Sequence, residues 1–205
     1  SMSTLRADLL STAAHYRKKG QYSKAQSIYK QILTSNPIDV DALFGFGLLA
    51  KKLKQKDVAT AIFEKIIYLD NTNYLAFLQR GLIHSQNKEY ELAINNFDAA
   101  LAIEPNFFEA LSSRGIAFSK QSNFNAAHFD FCAAVKLKPD SADAYYNRAL
   151  ARMNLKKFDL AIADYTKAIT HNPNHFQALN NRGMALRELR RFDEAIEDFG
   201  NWVDL

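Results

Sequence analysis

Residues 145–173, YYNRALARMNLKKFDLAIADYTKAITHNP, read as two amphipathic helices with a break near Lys156 and a stop at Pro173. In the first, Tyr145, Ala149 and Arg152 fall at i, i+4 and i+7; in the second, Phe158, Ala161, Tyr165 and Ala168 share one face. Shifting the window by 34 residues in either direction returns the same text. One column holds Pro37, Asn71, Pro105, Pro139 and Pro173, and a second holds the small residues Ala13, Gly47, Gly81, Gly115, Ala149 and Gly183. In the second helix, alanine recurs at 25, 59, 93, 127, 161 and 195. The aromatic column there is Tyr29, Phe63, Phe97, Phe131, Tyr165 and Phe199.

These residue types have physical reasons. Small side chains let paired helices approach closely, and the aromatic fills the space between them. Proline lacks an amide hydrogen and restricts its predecessor, so it ends the second helix. Asn106 with Glu109, Asp140 with Asp143 and Asn174 with Gln177 are expected to cap the helices that follow. A lone helix pair cannot bury its own apolar face, whereas stacked pairs can, so the pattern predicts an array. The repeats run over about 6–39, 40–73, 74–107, 108–141, 142–175 and 176–205, one array filling 1–205.

The spacing of small, alanine, aromatic and proline columns resembles the tetratricopeptide repeat family, and the resemblance covers nearly the whole chain. It implies an all-α fold, a right-handed superhelical α-solenoid of stacked antiparallel helix pairs. It also implies ligands along a concave face made by the first helices. The family's ligand-facing positions are the second, fifth, sixth, ninth, twelfth and thirteenth of each repeat. They map here to Leu10, Phe44, Leu48, Leu75, Leu78 and Leu82 in repeats one to three. Later repeats place Ile116, Lys120, Asp143, Tyr146, Asn147, Asn154, Gln177, Asn180, Asn181 and Glu188 there. The groove is thus expected to pass from apolar to amide-rich, with Leu48 and Leu82 open to a second reading as packing between repeats. Asn147 and Asn181 share the sixth position, where an amide could bond a peptide backbone or brace its own neighbours. Chaperone-adaptor members grip a C-terminal carboxylate with a Lys/Asn/Lys/Arg clamp. Leu10, Ala14, Gly45, Leu75 and Gln79 occupy the corresponding sites, so no binding of chaperone tails is expected.

Repeats three to six carry Arg80, Arg114, Arg148 and Arg182 just before the small residue, and sixteen residues later Asn96, Asp130, Asp164 and Asp198. Repeats one and two have Thr12 with Ile28 and Phe46 with Ile62 instead. Arginine therefore comes with a polar or acidic partner. The covariation predicts structural pairs Arg114–Asp130, Arg148–Asp164 and Arg182–Asp198, bidentate where geometry permits.

Composition narrows the function classes. No apolar run is long enough to span a membrane, and no signal-peptide core follows the N-terminus, where Ser1-Met2 reads as an expression scar. The single cysteine, Cys132, excludes an internal disulfide framework; it suits a reducing, cytoplasmic setting and is expected as buried filler beside Phe129, Phe131 and Val135. The net charge of +4 is uneven, with ten Lys or Arg against three Asp or Glu in residues 1–56. That basic end reads as solvated helix edges, with nucleic acid as the alternative partner. His171 and His175 flank Pro173 and read as exposed turn histidines without a third ligand, so no metal or cofactor is expected. No phosphate loop or nucleophile elbow is present, which argues against an enzyme and for a protein-interaction scaffold. The array ends mid-element with Trp202 and Val203, so either it is a fragment of a longer array or that helix pairs with another chain.

Overall fold

A computed structural model describes the backbone of residues 1–204 and the side chains of residues 1–200; among these residues there is no strand. Twelve helices follow one another: α1 Met2–Lys18, α2 Tyr22–Ser35, α3 Val40–Lys52, α4 Lys56–Leu69, α5 Tyr74–Gln86 and α6 Tyr90–Ile103, then α7 Phe108–Lys120, α8 Phe124–Leu137, α9 Ala142–Asn154, α10 Phe158–His171, α11 Phe176–Glu188 and α12 Phe192–Asp204. They form two compact units, residues 1–103 and 104–205, each of three helix pairs. Helix α1 starts four residues before the repeat boundary at Arg6, because the Ser1 hydroxyl accepts from the Thr4 amide.

In the N-terminal unit each pair packs internally, α2 and α4 pack on the following first helices, and α1 also meets α3 directly. One core cluster joins Ala13, Ala25, Tyr29, Ile32, Ala42 and Leu49, drawn from three successive helices. A second joins Leu43, Ala50, Phe63, Ile66, Ala76 and Ile83 in the same manner. The C-terminal unit repeats the scheme: Ala149, Ala161, Tyr165, Ala168 and Ala178 combine α9, α10 and α11. No pair owns its core, so burial of each apolar face requires the neighbouring repeat.

The small column is set by ring contact. A Cβ on Gly81 would lie 2.6 Å from Phe97, on Gly115 2.5 Å from Phe131 and on Gly183 2.6 Å from Phe199. Where the column holds alanine, at Ala13 and Ala149, the aromatic partner is Tyr29 or Tyr165 rather than phenylalanine. Gly45 has a separate reason to be small: its Cβ would meet the Tyr29 ring of the preceding repeat at 2.5 Å.

Inside each repeat the turn is made by one left-handed residue: Gly20, Lys54, Lys88, Ser122, Lys156 or Arg190. At Lys156 the preceding helix closes with the Lys157 amide donating to the Arg152 carbonyl at 2.8 Å, a Schellman-like end. Between repeats the residue before proline turns extended, as at Asn36 (φ −144°). Asp70 adopts φ −148° ahead of Asn71, so the repeat lacking proline keeps the same break. Its carboxylate accepts from the Thr72 amide and hydroxyl, an amide bond that Asn36 and Asn172 also make in the turns that carry proline.

The N-caps lie one residue later than the expected Asn106, Asp140 and Asn174. Ser141 caps α9 and His175 caps α11, each accepting from the amide three residues on, whereas Phe107 precedes α7 with no side-chain cap. The displaced asparagine and aspartate residues fall in the inter-repeat turn instead. Of the terminal apolar residues, Phe192 and Ile196 are exposed and Phe199 is half-buried; the side chains of Trp202 and Val203 lie outside the described residues.

Candidate interaction groove

The arginine column lies between the two helices of a pair. Arg114 donates through Nε and Nη2 to the two carboxylate oxygens of Asp130 at 2.8 and 2.7 Å. Arg148 holds Asp164 at 2.9 and 2.8 Å, and Arg182 holds Asp198 at 2.7 and 2.6 Å. Asp164 also accepts from Arg152 Nη1 at 2.8 Å. The carboxylates are buried, Asp130 being 1% exposed, while the guanidinium groups reach the rim. Bonding to Asp164 holds the Arg148 pKa above its ordinary value. In repeat three Arg80 donates to Asn96 Oδ1 at 2.7 Å, and Asn96 Nδ2 donates back to the Leu92 carbonyl. These arginines face carboxylates or an amide, so they are not a row open to a ligand.

Among the groove candidates of the N-terminal unit, Leu75 is exposed, and Leu10 and Phe44 are half-buried against the core clusters. Phe44 meets Phe63 edge-on with centroids 5.6 Å apart. Leu78 is 5% exposed, which removes it from any groove surface. Leu48 and Leu82 are half-buried.

In the C-terminal unit Lys120, Asp143, Asn154 and Gln177 are exposed, and Tyr146, Asn147, Asn180 and Asn181 are half-buried. Asn181 Nδ2 donates to Tyr146 Oη at 3.2 Å, linking α11 to α9. The buried Tyr165 hydroxyl faces the Asn181 amide without closing a hydrogen bond of good geometry, and burial pushes its pKa up. Burial likewise raises the Tyr146 pKa. Asn147 is engaged by no other side chain among the described residues. Asn154 bonds its own Leu150 carbonyl, and Asn180 Nδ2 lies 3.9 Å from Met184 Sδ. The amides therefore divide into braced (Asn154, Asn181) and unengaged (Asn147).

His175 is buried, contrary to the expectation of an exposed turn histidine. Its Nδ1 accepts from the Ala178 amide at 3.2 Å, so the ring proton sits on Nε2, 3.4 Å from Asp143 Oδ1. The Tyr146 ring lies 4.6 Å from the imidazole. His171 stays exposed, stacked on Tyr145 at 5.7 Å. Cys132 is only half-buried, because its helix face meets His128 and Arg148 rather than a closed apolar layer; Phe129 beside it is 74% exposed. Among the described residues no cluster of His, Cys, Asp or Glu could hold a metal, and no helix is long and apolar enough to cross a membrane.

Reasoning from sequence missed the basic side chains on this same face. Arg17 and Lys51 hold the twelfth position of repeats one and two, and Lys18 and Lys52 the thirteenth. The signal was present in the position rule, although the basic end had been read as solvated helix edges.

Family models for the tetratricopeptide repeat match residues 10–74, 142–175 and 164–197, and a TPR repeat model matches residues 81–122. The chain is a tetratricopeptide repeat protein. Solved tetratricopeptide repeat structures share the fold. PilF of Pseudomonas aeruginosa is 15% identical over 96% of this chain and 89% of its own, with a TM-score of 0.85. MamA from Desulfovibrio magneticus RS-1 is 20% identical over 81% and 94%, with a TM-score of 0.77. YrrB, described as a TPR protein with an unusual peptide-binding site, is 19% identical over 86% and 91%, with a TM-score of 0.75. Comparison with curated proteins returns no match. Tetratricopeptide repeat proteins are generally scaffolds for protein interaction.

Proposed function

We propose that this tetratricopeptide repeat protein is a non-enzymatic scaffold that holds an extended segment of a partner protein along the face made by its first helices. The observation that carries this reading is the polar row on α9 and α11. Tyr146 and Asn147 in one repeat and Asn180 and Asn181 in the next occupy corresponding positions with their side chains partly open. Asn147 is unengaged, and Asn181 spends one amide hydrogen on Tyr146 while its carbonyl oxygen can still accept. An amide offers a donor and an acceptor together, so it can bond a peptide backbone without demanding a particular side chain. The exposed Gln177, Lys120 and Asp143 then supply side-chain selectivity at the rim.

The test starts from a partner captured by the array from native lysate and identified. Asn147→Ala with Asn181→Ala is expected to weaken its binding about tenfold by calorimetry, two backbone bonds each contributing roughly 0.5–1.5 kcal/mol. Loss of the Asn181–Tyr146 bond should cost only about 1 kcal/mol of stability. Unchanged affinity in the double variant would show that the segment is not held through these amides.

A further inference from the structure

Two clefts of the N-terminal unit meet at one edge of its first-helix face. Leu48, Lys51, Lys52, Lys54, Lys56 and Gln86 line one, and Arg17, Lys18, Lys19, Tyr22, Leu48 and Lys52 are among those lining the other. Leu48 and Lys52 belong to both, so the clefts share a wall. No carboxylate lines either. Among the described residues none of these lysines is paired with an acid.

Lys51 is the informative member. Its ammonium is partly withdrawn from water, and burial lowers its pKa, yet its partner is the neutral Gln79 Oε1 at 2.9 Å. Elsewhere the chain answers such burial with a carboxylate, as Arg148 and Arg152 do with Asp164. A half-buried cation facing an open cleft and held only by an amide is short of countercharge, and an arriving anion would supply it. Lys56 repeats the theme at the rim, donating to Asn87 Oδ1 at 3.1 Å. Within this basic ring Leu48 offers aliphatic surface, half-buried between the two clefts.

We infer that these joined clefts bind an acidic protein segment, its carboxylates on Lys51, Lys52, Lys18 and Arg17 and one large apolar side chain seated on Leu48. The inference rests on the scaffold reading and adds the chemistry of the partner: acidic at the N-terminal unit, recognised through backbone amides at the C-terminal unit. Lysine ammonium groups act as point charges for single carboxylates. Single-stranded nucleic acid calls for aromatic platforms interleaved with the charge, and Tyr22 is the lone aromatic lining either cleft.

The test uses fluorescence anisotropy with the full array and a short labelled peptide of Glu and Asp around a central Leu. Binding should weaken steeply with added salt and fall about tenfold in Lys51→Met with Lys52→Gln. It should be kept in Lys30→Gln with Lys65→Gln, which removes equal charge from the second helices. Lys18→Gln with Lys52→Gln, both exposed, serves should the Lys51 variant fail to fold, and is expected to lose about fivefold. An isosteric peptide of Gln and Asn around Leu should not bind. No binding of the acidic peptide, or equal loss in the Lys30/Lys65 variant, would overturn the inference. So would tighter binding of oligouridylate or of phosphatidylserine vesicles through the same lysines, which would assign the clefts to nucleic acid or membrane. If the acidic peptide fails while Asn147 and Asn181 still govern partner affinity, this inference falls and the scaffold reading stands.

Discussion

Arg148 grips Asp164 with two parallel hydrogen bonds, Nε to Oδ2 at 2.9 Å and Nη2 to Oδ1 at 2.8 Å, and thereby ties α9 to α10. The carboxylate is 2% exposed and receives a third bond from Arg152. Removing it leaves two guanidinium groups without their counter-ion. Asp164→Ala is expected to cost about 3–5 kcal/mol, read as a drop in the urea midpoint. Asp164→Asn should cost less, since Asn96 occupies the same place opposite Arg80. Equal loss in both variants would show that an acceptor oxygen alone contributes nothing there and that the carboxylate charge is the whole of the effect.

The glycine column yields a steric prediction. A methyl on Gly115 would lie 2.5 Å from Phe131 Cε1, inside any tolerable separation, and both residues are buried. Gly115→Ala should cost about 1–3 kcal/mol even though alanine is the better helix former. Adding Phe131→Leu should recover part of that loss in a double-mutant cycle. Purely additive effects would refute the ring contact.

Left-handed turns at Lys54, Lys88, Ser122, Lys156 and Arg190 carry side chains that disfavour φ near +60°. Glycine relieves about 1–2 kcal/mol of that strain and gives back roughly 0.5–1 kcal/mol in chain entropy. Lys156→Gly is therefore expected to stabilise by about 0.5–1 kcal/mol, with nearly additive gains when several turns are changed. Thermal unfolding of single and combined variants measures it.

His128 gives a pH dependence. Burial first, then the charges of Arg152, Lys157 and Arg148, lower its pKa below the ordinary value, with Asp164 opposing. Its Nε2 lies 3.2 Å from Arg152 Nε and 3.6 Å from Cys132 Sγ, so the neutral ring accepts from Arg152. In the unfolded chain the imidazole protonates near pH 6.5, whereas in the folded chain it resists until lower pH. The stability it confers is complete above about pH 6.5 and declines as pH falls below it. Urea midpoints between about pH 7 and 5.5 should fall more for the native chain than for His128→Gln. Parallel profiles would exclude the histidine as the source.

The helix pairs could be read from the sequence because a 34-residue period in small, alanine and aromatic residues reports packing that every copy must satisfy. The arginine and aspartate columns were readable for a related reason, since they change together between repeats. The N-caps were misplaced by one residue because Asn and Asp are equally suited to the turn before the helix, and Asn172 and Asp70 do serve there. His175 was misread because its role depends on the ring nitrogen facing the Ala178 amide, which spacing alone cannot reveal. The basic clefts escaped notice for a different reason. Basic residues at the ends of two first helices converge only once the repeats are stacked, and the pair at the twelfth and thirteenth positions is shared by repeats one and two alone.

The two tyrosines in an aromatic column otherwise of phenylalanine make the joints between repeats unequal. Tyr29 reaches past its own pair to lie in the room left by Gly45 of the next repeat, and Tyr165 packs in one cluster with Ala178 of the next, its hydroxyl facing Asn181. An array of identical joints would fray one repeat at a time from either end. Here the partners at a tyrosine joint share a single fastener and must loosen together. Amide exchange would then report paired blocks, repeats one with two and five with six, rather than a smooth gradient along the chain.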